Sequence, residues 1–535
     1  MARRFEHICN AMAEPGFYPD GESSIKQIET HISVVFLTEK WVYKLKKPVR
    51  FDFLDFTRLT DRHYFCSREI ILNQRLSHGI YMEVVPIYEI SPGQYSLTPS
   101  KTPVEYAVKM RRLPDECCLK HMLESDDPDI GEKCRFIGQR LSRFYQNADR
   151  SREIDGFGKK ETLSYNLEEN IDEIEPFVDD YMEREQWQFI CQISRNFLND
   201  YESLFDLRIQ TGRIRDGHGD LRPEHIYFYG GLQIIDCIEF NDRFRYGDTV
   251  LDLAFLYMEL DHLGHAELGR EILKTYAAHA DDRMLYALID YYCAYRALVR
   301  VKVCCLSLRG ASENRRRFLL SEIHRYFDQA FHYCLLFGRP TLWVFFGPPA
   351  SGKSTMARCT GDSLLFPVFR SDLVRKQEMP VSEKRSVPYG TGIYRESMRD
   401  HIYTHLFALA QERLKSGASA ILDATFSKIR WRDAARRLAL DLDANLIFVH
   451  CSANRMTLLD RLKKRETGPN GDSDARLMHF DDIMAHFDPV SEQDPDHNIS
   501  IDTRFSEDDT LHRILSEAYA LKNAQITKLI GAKLS

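Results

Sequence analysis

The chain predicts two domains of different class: an α+β bilobal domain, then an α/β domain with a parallel sheet. Three observations carry this. At 535 residues the chain exceeds what one ordinary core organises. Residues 20 to about 113 read as short β segments such as HISVVFL and KWVYKLK with one helical stretch, DRHYFCSREIILNQRL, whereas about 116 to 335 read mostly as helix. From 341 onward apolar strands (LWVFF, SAILDA, ANLIFVHC) alternate with helical patterns, which implies βαβ units and parallel pairing. The expected division is a first domain at 1–335, with a small lobe and a helical lobe, a second at 341–505, and a helical tail at 506–535. The seam falls at Gly338 and Pro340, which punctuate the end of the helical region.

Composition fits a soluble globular protein, with 44% hydrophobic and 28% charged residues. A net charge of -8 provides no general attraction to nucleic acid. No secretory signal is read at the N-terminus, and the longest apolar segment, LYALIDYYCAYRALVRVKVCCLSL, is interrupted by Asp290, Arg296, Arg300 and Lys302, so a buried helix is expected rather than a membrane span. The 13 cysteines are scattered without any CxxC pair, which argues against zinc and for reduced thiols in a cytoplasmic protein.

In the second domain GPPASGKST follows an apolar strand and opens a helical pattern. Gly347 and Gly352 let the loop backbone curl past Pro348 and Pro349, which have no N-H of their own, so that the N-H groups of the loop, including Ala350, Ser351 and Thr355, point at phosphate, with the positive end of a helix behind them. Lys353 is placed for the β/γ-phosphates and the Ser354 hydroxyl for magnesium. Asp423 ends the strand of AILDATF, where it can reach the same ion; Ala424 and Thr425 follow where motor-type ATPases have Glu, which favours transfer over hydrolysis. Asp372, in FRSDLVRK, is expected at the carboxyl edge of the sheet, either as the base that takes an acceptor proton or as a helix N-cap. Arg461 and Arg465 share one helical face before a Gly/Pro/Asn turn, as a charge-delivering lid or as a solvated basic face.

The runs GPPASGKST, RSDLVRK, ILDATF and HCSANRMTLLDRLKKRE resemble the P-loop kinase group that includes polynucleotide 5'-hydroxyl kinases, zeta-type toxins and small-metabolite kinases. The resemblance covers about 341–505. It implies that Asp372 acts as base, that the arginines stabilise the transferring phosphoryl group, and that the cofactors are ATP and Mg2+.

In the first domain, HGDLRPEHI places Asp220 as a carboxylate for an acceptor hydroxyl, and LQIIDCIEF supplies Asp236 for magnesium across a Gly230-Gly231 turn. These runs, with RYGDTVLDLAFLYMEL, resemble the aminoglycoside phosphotransferase-like branch of the protein-kinase fold. Asp248 and Asp252 in the last run are expected to be structural. The resemblance implies that Lys44 pairs with phosphate and Glu69 with Lys44, although Lys46 lies on the same strand face. Gly219 at the kinase Arg position is what this branch has, HGD replacing HRD; two departures stand out: Thr30 to Ser33 replace a Gly-rich loop, and His225 stands where a magnesium-binding Asn belongs. Magnesium prefers oxygen, so His225 weakens the second metal position.

An HGD-type kinase pair of lobes ahead of a P-loop kinase resembles bacterial proteins described as bifunctional aminoglycoside phosphotransferase-like and ATP-binding. What this implies is a kinase acting on a hydroxyl acceptor, a small molecule or a nucleic-acid 5' end. The alternative is a non-catalytic kinase-like domain that binds ligand and gates the P-loop domain.

Overall fold

The architecture is that of a computed structural model, which describes residues 2–19, 21, 24–51, 53–100, 102–125, 127–378, 395–467, 477, 480–490 and 497–534. They form two compact units: residues 1–163 with 205–273, and 164–204 with 274–535.

The first unit is built on an antiparallel sheet in the order Lys26–Glu29, Ser33–Leu37, Trp41–Lys46, Pro103–Arg111, Tyr81–Ser91, Gln94–Ser96. Alternation along Trp41–Lys46 divides its side chains between two environments. Tyr43 and Leu45 enter a core with Val34, Phe36 and Ile8 of the helix Ala2–Met12. Lys44 and Lys46 take the opposite face, where both reach Glu69 on the helix Leu59–Asn73. That helix is fixed to the sheet by a buried ion pair, with Arg62 Nη2 2.8 Å and Nε 2.9 Å from the Glu105 carboxylate. Burial pushes the Glu105 carboxyl up, against the pull of Arg62.

In the second half of this unit, Ile226–Phe228 and Leu232–Ile234 form the expected hairpin, turned by Gly230 and Gly231 at φ 60° and 117°. The helix Thr249–His262 is almost wholly buried and is capped by Asp248, which accepts from Val250 N at 2.9 Å. The fully buried Arg208 clamps that same carboxylate at 2.6 and 2.8 Å. The unit is α+β, as expected: a β-rich lobe carrying a lysine–glutamate pair, and a helical part carrying the HGD loop.

The second unit contains an all-parallel sheet in the order Val368–Arg370, Ala420–Asp423, Thr341–Phe346, Asn445–Ser452, Asn498–Asp502. Its central strand Thr341–Phe346 is buried at every residue, as a parallel strand covered on both faces requires. The helix Glu507–Leu534 lies against this sheet, and Gln525 brackets Leu446, accepting from its N-H and donating to its carbonyl. The apolar segment read as a buried helix is one, Leu285–Leu306, and its Asp290 is held by Tyr519 and Lys522 at 2.9 and 2.6 Å. Among the described residues no helix is long and apolar enough to cross a membrane. All thirteen cysteines are free, and all but Cys117 and Cys359 are buried. Burial pushes thiols such as Cys66 and Cys451 up to about 12, so they stay protonated as packing.

Replacing Arg62 by Ala leaves Glu105 buried without its cation and is expected to cost about 3–5 kcal/mol, read as a lower urea midpoint. Arg62→Met combined with Glu105→Leu is expected to recover most of that loss.

Candidate functional sites

The first site forms where Trp41–Lys46, Leu59–Asn73 and the HGD loop converge. Lys44 Nζ lies 2.6 Å from Asp236 Oδ1 and 2.9 Å from Glu69 Oε1. Lys46 lies 2.7 Å from Glu69 Oε2 and bonds Glu239 on its other side. Both lysines thus reach Glu69, but Lys44 is the one that reaches Asp236. Glu239–Lys46–Glu69–Lys44–Asp236 is a chain of alternating charges, and the sequence reasoning did not include Glu239. Its only sequence signal is an acid three residues after Asp236 inside an apolar run.

Asp236 sits just past the hairpin at φ 64°, a left-handed conformation that a non-glycine residue keeps only when its surroundings enforce it. Its N-H donates to Tyr81 Oη at 3.1 Å, and the next N-H, of Cys237, donates to Asn73 Oδ1 at 2.9 Å. Burial disfavours its charged form, but Lys44 and then His225 outweigh this and hold the carboxyl well below the usual range. Burial likewise works against the Lys44 ammonium, and Asp236 and Glu69 raise it well above its ordinary value. Lysine and aspartate are therefore both charged at neutral pH.

Asp220 faces Asp236 across His225. His225 Nδ1 is 2.9 Å from the Asp220 carbonyl oxygen and 3.6 Å from Asp220 Oδ2; its Nε2 is 3.6 Å from Asp236 Oδ2. One ligand atom from each of the three residues lies within 4.8 Å of the others, so the group can hold a metal ion. The Asp220 carboxyl is lowered: burial opposes ionisation, but Arg222 and His225 favour it more.

The loop owes its shape to Asp252, which accepts from His218 N at 2.6 Å, Gly219 N at 2.8 Å and Tyr145 Oη at 3.0 Å. Asp248 and Asp252 are structural, as expected, and Asp252 is what presents Asp220. Gly219 has φ 85°, and a Cβ there would meet the Phe244 carbonyl oxygen at 2.8 Å. His218 is fully buried, which pushes its imidazole down to about 4, and its Nε2 lies 3.0 Å from the Ile235 carbonyl oxygen, joining the loop to the residue before Asp236. Thr30 to Ser33 close the first hairpin, with Thr30 Oγ1 accepting from Ser33 N at 3.0 Å.

The second site is the phosphate loop between Thr341–Phe346 and the helix Lys353–Leu364. A Cβ at Gly347 would stand 2.1 Å from the Cys451 carbonyl oxygen, and Gly352 begins the helix at φ 84°. Ala350 also takes positive φ, at 61°. Lys353 Nζ lies 3.4 Å from the Pro348 carbonyl oxygen, curling back over the loop. Asp423 accepts from Ser354 and is 3% exposed, while its Oδ1 has no protein partner. Burial raises the Asp423 carboxyl despite Lys353 and Ser354. An orphaned, buried carboxylate oxygen beside the P-loop hydroxyl suits a metal ion or its water.

Asp372 lies inside the first turn of the helix Ser371–Glu378 rather than at its cap, and is ion-paired with Arg375. Arg461 is tied to the loop, donating to the Ala350 carbonyl at 3.3 Å and to Thr503 Oγ1 and O at 2.9 and 2.6 Å. Thr503 in turn donates to the Ser351 carbonyl at 2.8 Å. Thr503 is a structural partner that no motif announces, because it arrives from the far edge strand Asn498–Asp502. Arg465 is exposed one turn beyond Arg461 on the helix Arg455–Thr467. The Gly/Pro/Asn turn expected after it lies outside the described residues.

A family model described as an AAA domain (AAA_33) matches residues 342–490, the P-loop domain. The Mycobacterium tuberculosis H37Rv protein named Uncharacterized protein Rv2004c is 32% identical over 457 residues, covering 84% of this chain and 88% of its own length. Uncharacterized protein Mb2027c of Mycobacterium bovis matches with the same identity and coverage. Among solved structures, the GDP complex of aminoglycoside 2'-phosphotransferase-IIIa is similar at 15% identity and TM-score 0.37, over 60% of this chain and 98% of its own. A gluconokinase from Sinorhizobium meliloti 1021 is similar at 18% identity and TM-score 0.27, over 36% of this chain and 98% of its own.

Gly219→Arg, which would complete the kinase HRD string, is expected to destabilise the first unit by about 1–3 kcal/mol, because the residue is left-handed and its Cβ has no room. A thermal melt that is lower for Gly219→Arg than for wild type checks this.

Proposed function

We propose that this chain, which belongs to the family of those mycobacterial proteins, is an ATP-dependent phosphotransferase with two nucleotide sites, each delivering the γ-phosphate to a hydroxyl acceptor. The observation that carries it is the Lys44 contact to both Glu69 and Asp236, opposite Asp220. A core does not need two carboxylates, a lysine and a strained aspartate gathered at a partly open surface; phosphate chemistry does.

At the first site Lys44 would hold the phosphates. Asp236 would hold a divalent metal ion, which supplies charge neutralisation at the transferring group when bound. The acceptor hydroxyl gives its proton to the Asp220 carboxylate, its oxygen forms the new bond to the γ-phosphorus, and the bond from that phosphorus to the bridging oxygen breaks, leaving ADP. At the second site the backbone of Gly347 to Gly352 and Lys353 would take the phosphates, Ser354 and Asp423 the ion, and Asp372 the acceptor proton. Arg461 stands beside the loop to meet charge that develops there, with Arg465 further out. The acceptor is a small molecule or a nucleic-acid 5' end. We place the protein in the cytoplasm, where ATP is available and free thiols stay reduced.

A second reading, in which the first site binds nucleotide to regulate the P-loop domain, is supported by His225, whose ring nitrogens lie 3.6 Å from the carboxylates of both aspartates at the position where a kinase has Asn. Labelled-ATP transfer to metabolites, aminoglycosides and 5'-hydroxyl oligonucleotides separates the two. The transferase reading expects Lys353→Ala and Asp220→Ala each to remove a different transfer, by at least about a hundredfold. If Asp220→Ala changes no transfer while Lys353→Ala removes all of it, the regulatory reading stands instead.

A further inference from the structure

The metal position of the first site is built from unlike donors, and the role of each atom is fixed. Asp236 Oδ1 is taken by Lys44 at 2.6 Å, so Oδ2 is the oxygen that faces the site. On the imidazole, Nδ1 lies 2.9 Å from the Asp220 carbonyl oxygen. A carbonyl only accepts, so Nδ1 carries the proton, and in the neutral ring the lone pair is on Nε2. That nitrogen faces Asp236 Oδ2 at 3.6 Å. Two ligand atoms held about 2.1 Å from one ion lie about 3 to 4 Å apart, so this spacing suits a shared ion. A histidine whose other N-H is anchored on a backbone carbonyl is also how proteins orient a metal-binding imidazole. Asp220, within 4.8 Å of both, is near enough to contribute a third ligand.

The donor set is a poor match for magnesium, which demands oxygen in near-ideal octahedral geometry. An imidazole nitrogen beside carboxylates instead suits a borderline divalent ion. The P-loop site offers oxygen donors, Ser354 and Asp423. We infer that His225 Nε2 and Asp236 Oδ2 form a site for a divalent transition-metal ion that accepts imidazole nitrogen beside carboxylate oxygen, for which manganese(II) serves as the probe, so that the two sites of this chain differ in metal preference.

This deepens the transferase reading of the first site, but it is tested by binding, without turnover. Manganese(II) is titrated into the full-length, nucleotide-free protein and followed by electron paramagnetic resonance, with echo detection of coupling to imidazole nitrogen. Wild type is expected to show that coupling. His225→Asn is expected to lose it and to bind manganese at least about tenfold more weakly, while magnesium competes better. Asp423→Asn, which alters the other site, is expected to keep the coupling. If His225→Asn unfolds by circular dichroism, His225→Gln gives the same readout. Absence of nitrogen coupling in wild type, its persistence in the His225 variant, or its loss in Asp423→Asn overturns the inference. An intact nitrogen signal together with unchanged transfer in Asp220→Ala sinks only the transferase reading.

Discussion

Everything at the first site depends on compensating charge that is buried. Lys46 is 1% exposed and Glu69 fully buried, and neither is stable there alone. The solution is the alternating chain from Glu239 through Lys46, Glu69 and Lys44 to Asp236. Because the members come from the sheet, from the helix Leu59–Asn73 and from the loop after the hairpin, satisfying the charges brings these elements together. The left-handed backbone at Asp236 is the local strain this arrangement imposes, and Tyr81 and Asn73 hold it in place.

The two sites follow a common rule by different means. In each, a backbone turn that a side chain would obstruct presents the clustered polar groups, and an acceptor or donor from elsewhere in the fold fixes the turn. Asp252 gathers the N-H groups of His218 and Gly219, and the Phe244 carbonyl occupies the space a Gly219 Cβ would need. In the P-loop the Cys451 carbonyl approaches Gly347, while Arg461 and Thr503 bind the loop carbonyls. The glycine in HGD is therefore set by sterics, and the loop is not a kinase sequence that happens to lack an arginine. His225 is likewise specifically placed: one nitrogen is anchored on the Asp220 carbonyl and the other faces Asp236.

The sequence alone determined what is local. The P-loop, the strand ending at Asp423, the Gly230-Gly231 hairpin and the separation of antiparallel from parallel sheet follow from turn chemistry, period and length, which act within a few residues. The same rules brought Asp220 and Asp236 into one neighbourhood, since a single hairpin separates them. Only the tertiary structure decided between Lys44 and Lys46, because both lie on one strand face and the difference is which of them meets Asp236. It also set Asp372 inside the first helical turn rather than at the cap that the sequence left open beside a role as base, and it revealed Glu239 and Thr503, whose partners lie 193 and 152 residues away. The physical reason is the same in each case: which buried charge or carbonyl needs a partner is a property of the packed interior, and a pattern read along the chain does not contain it.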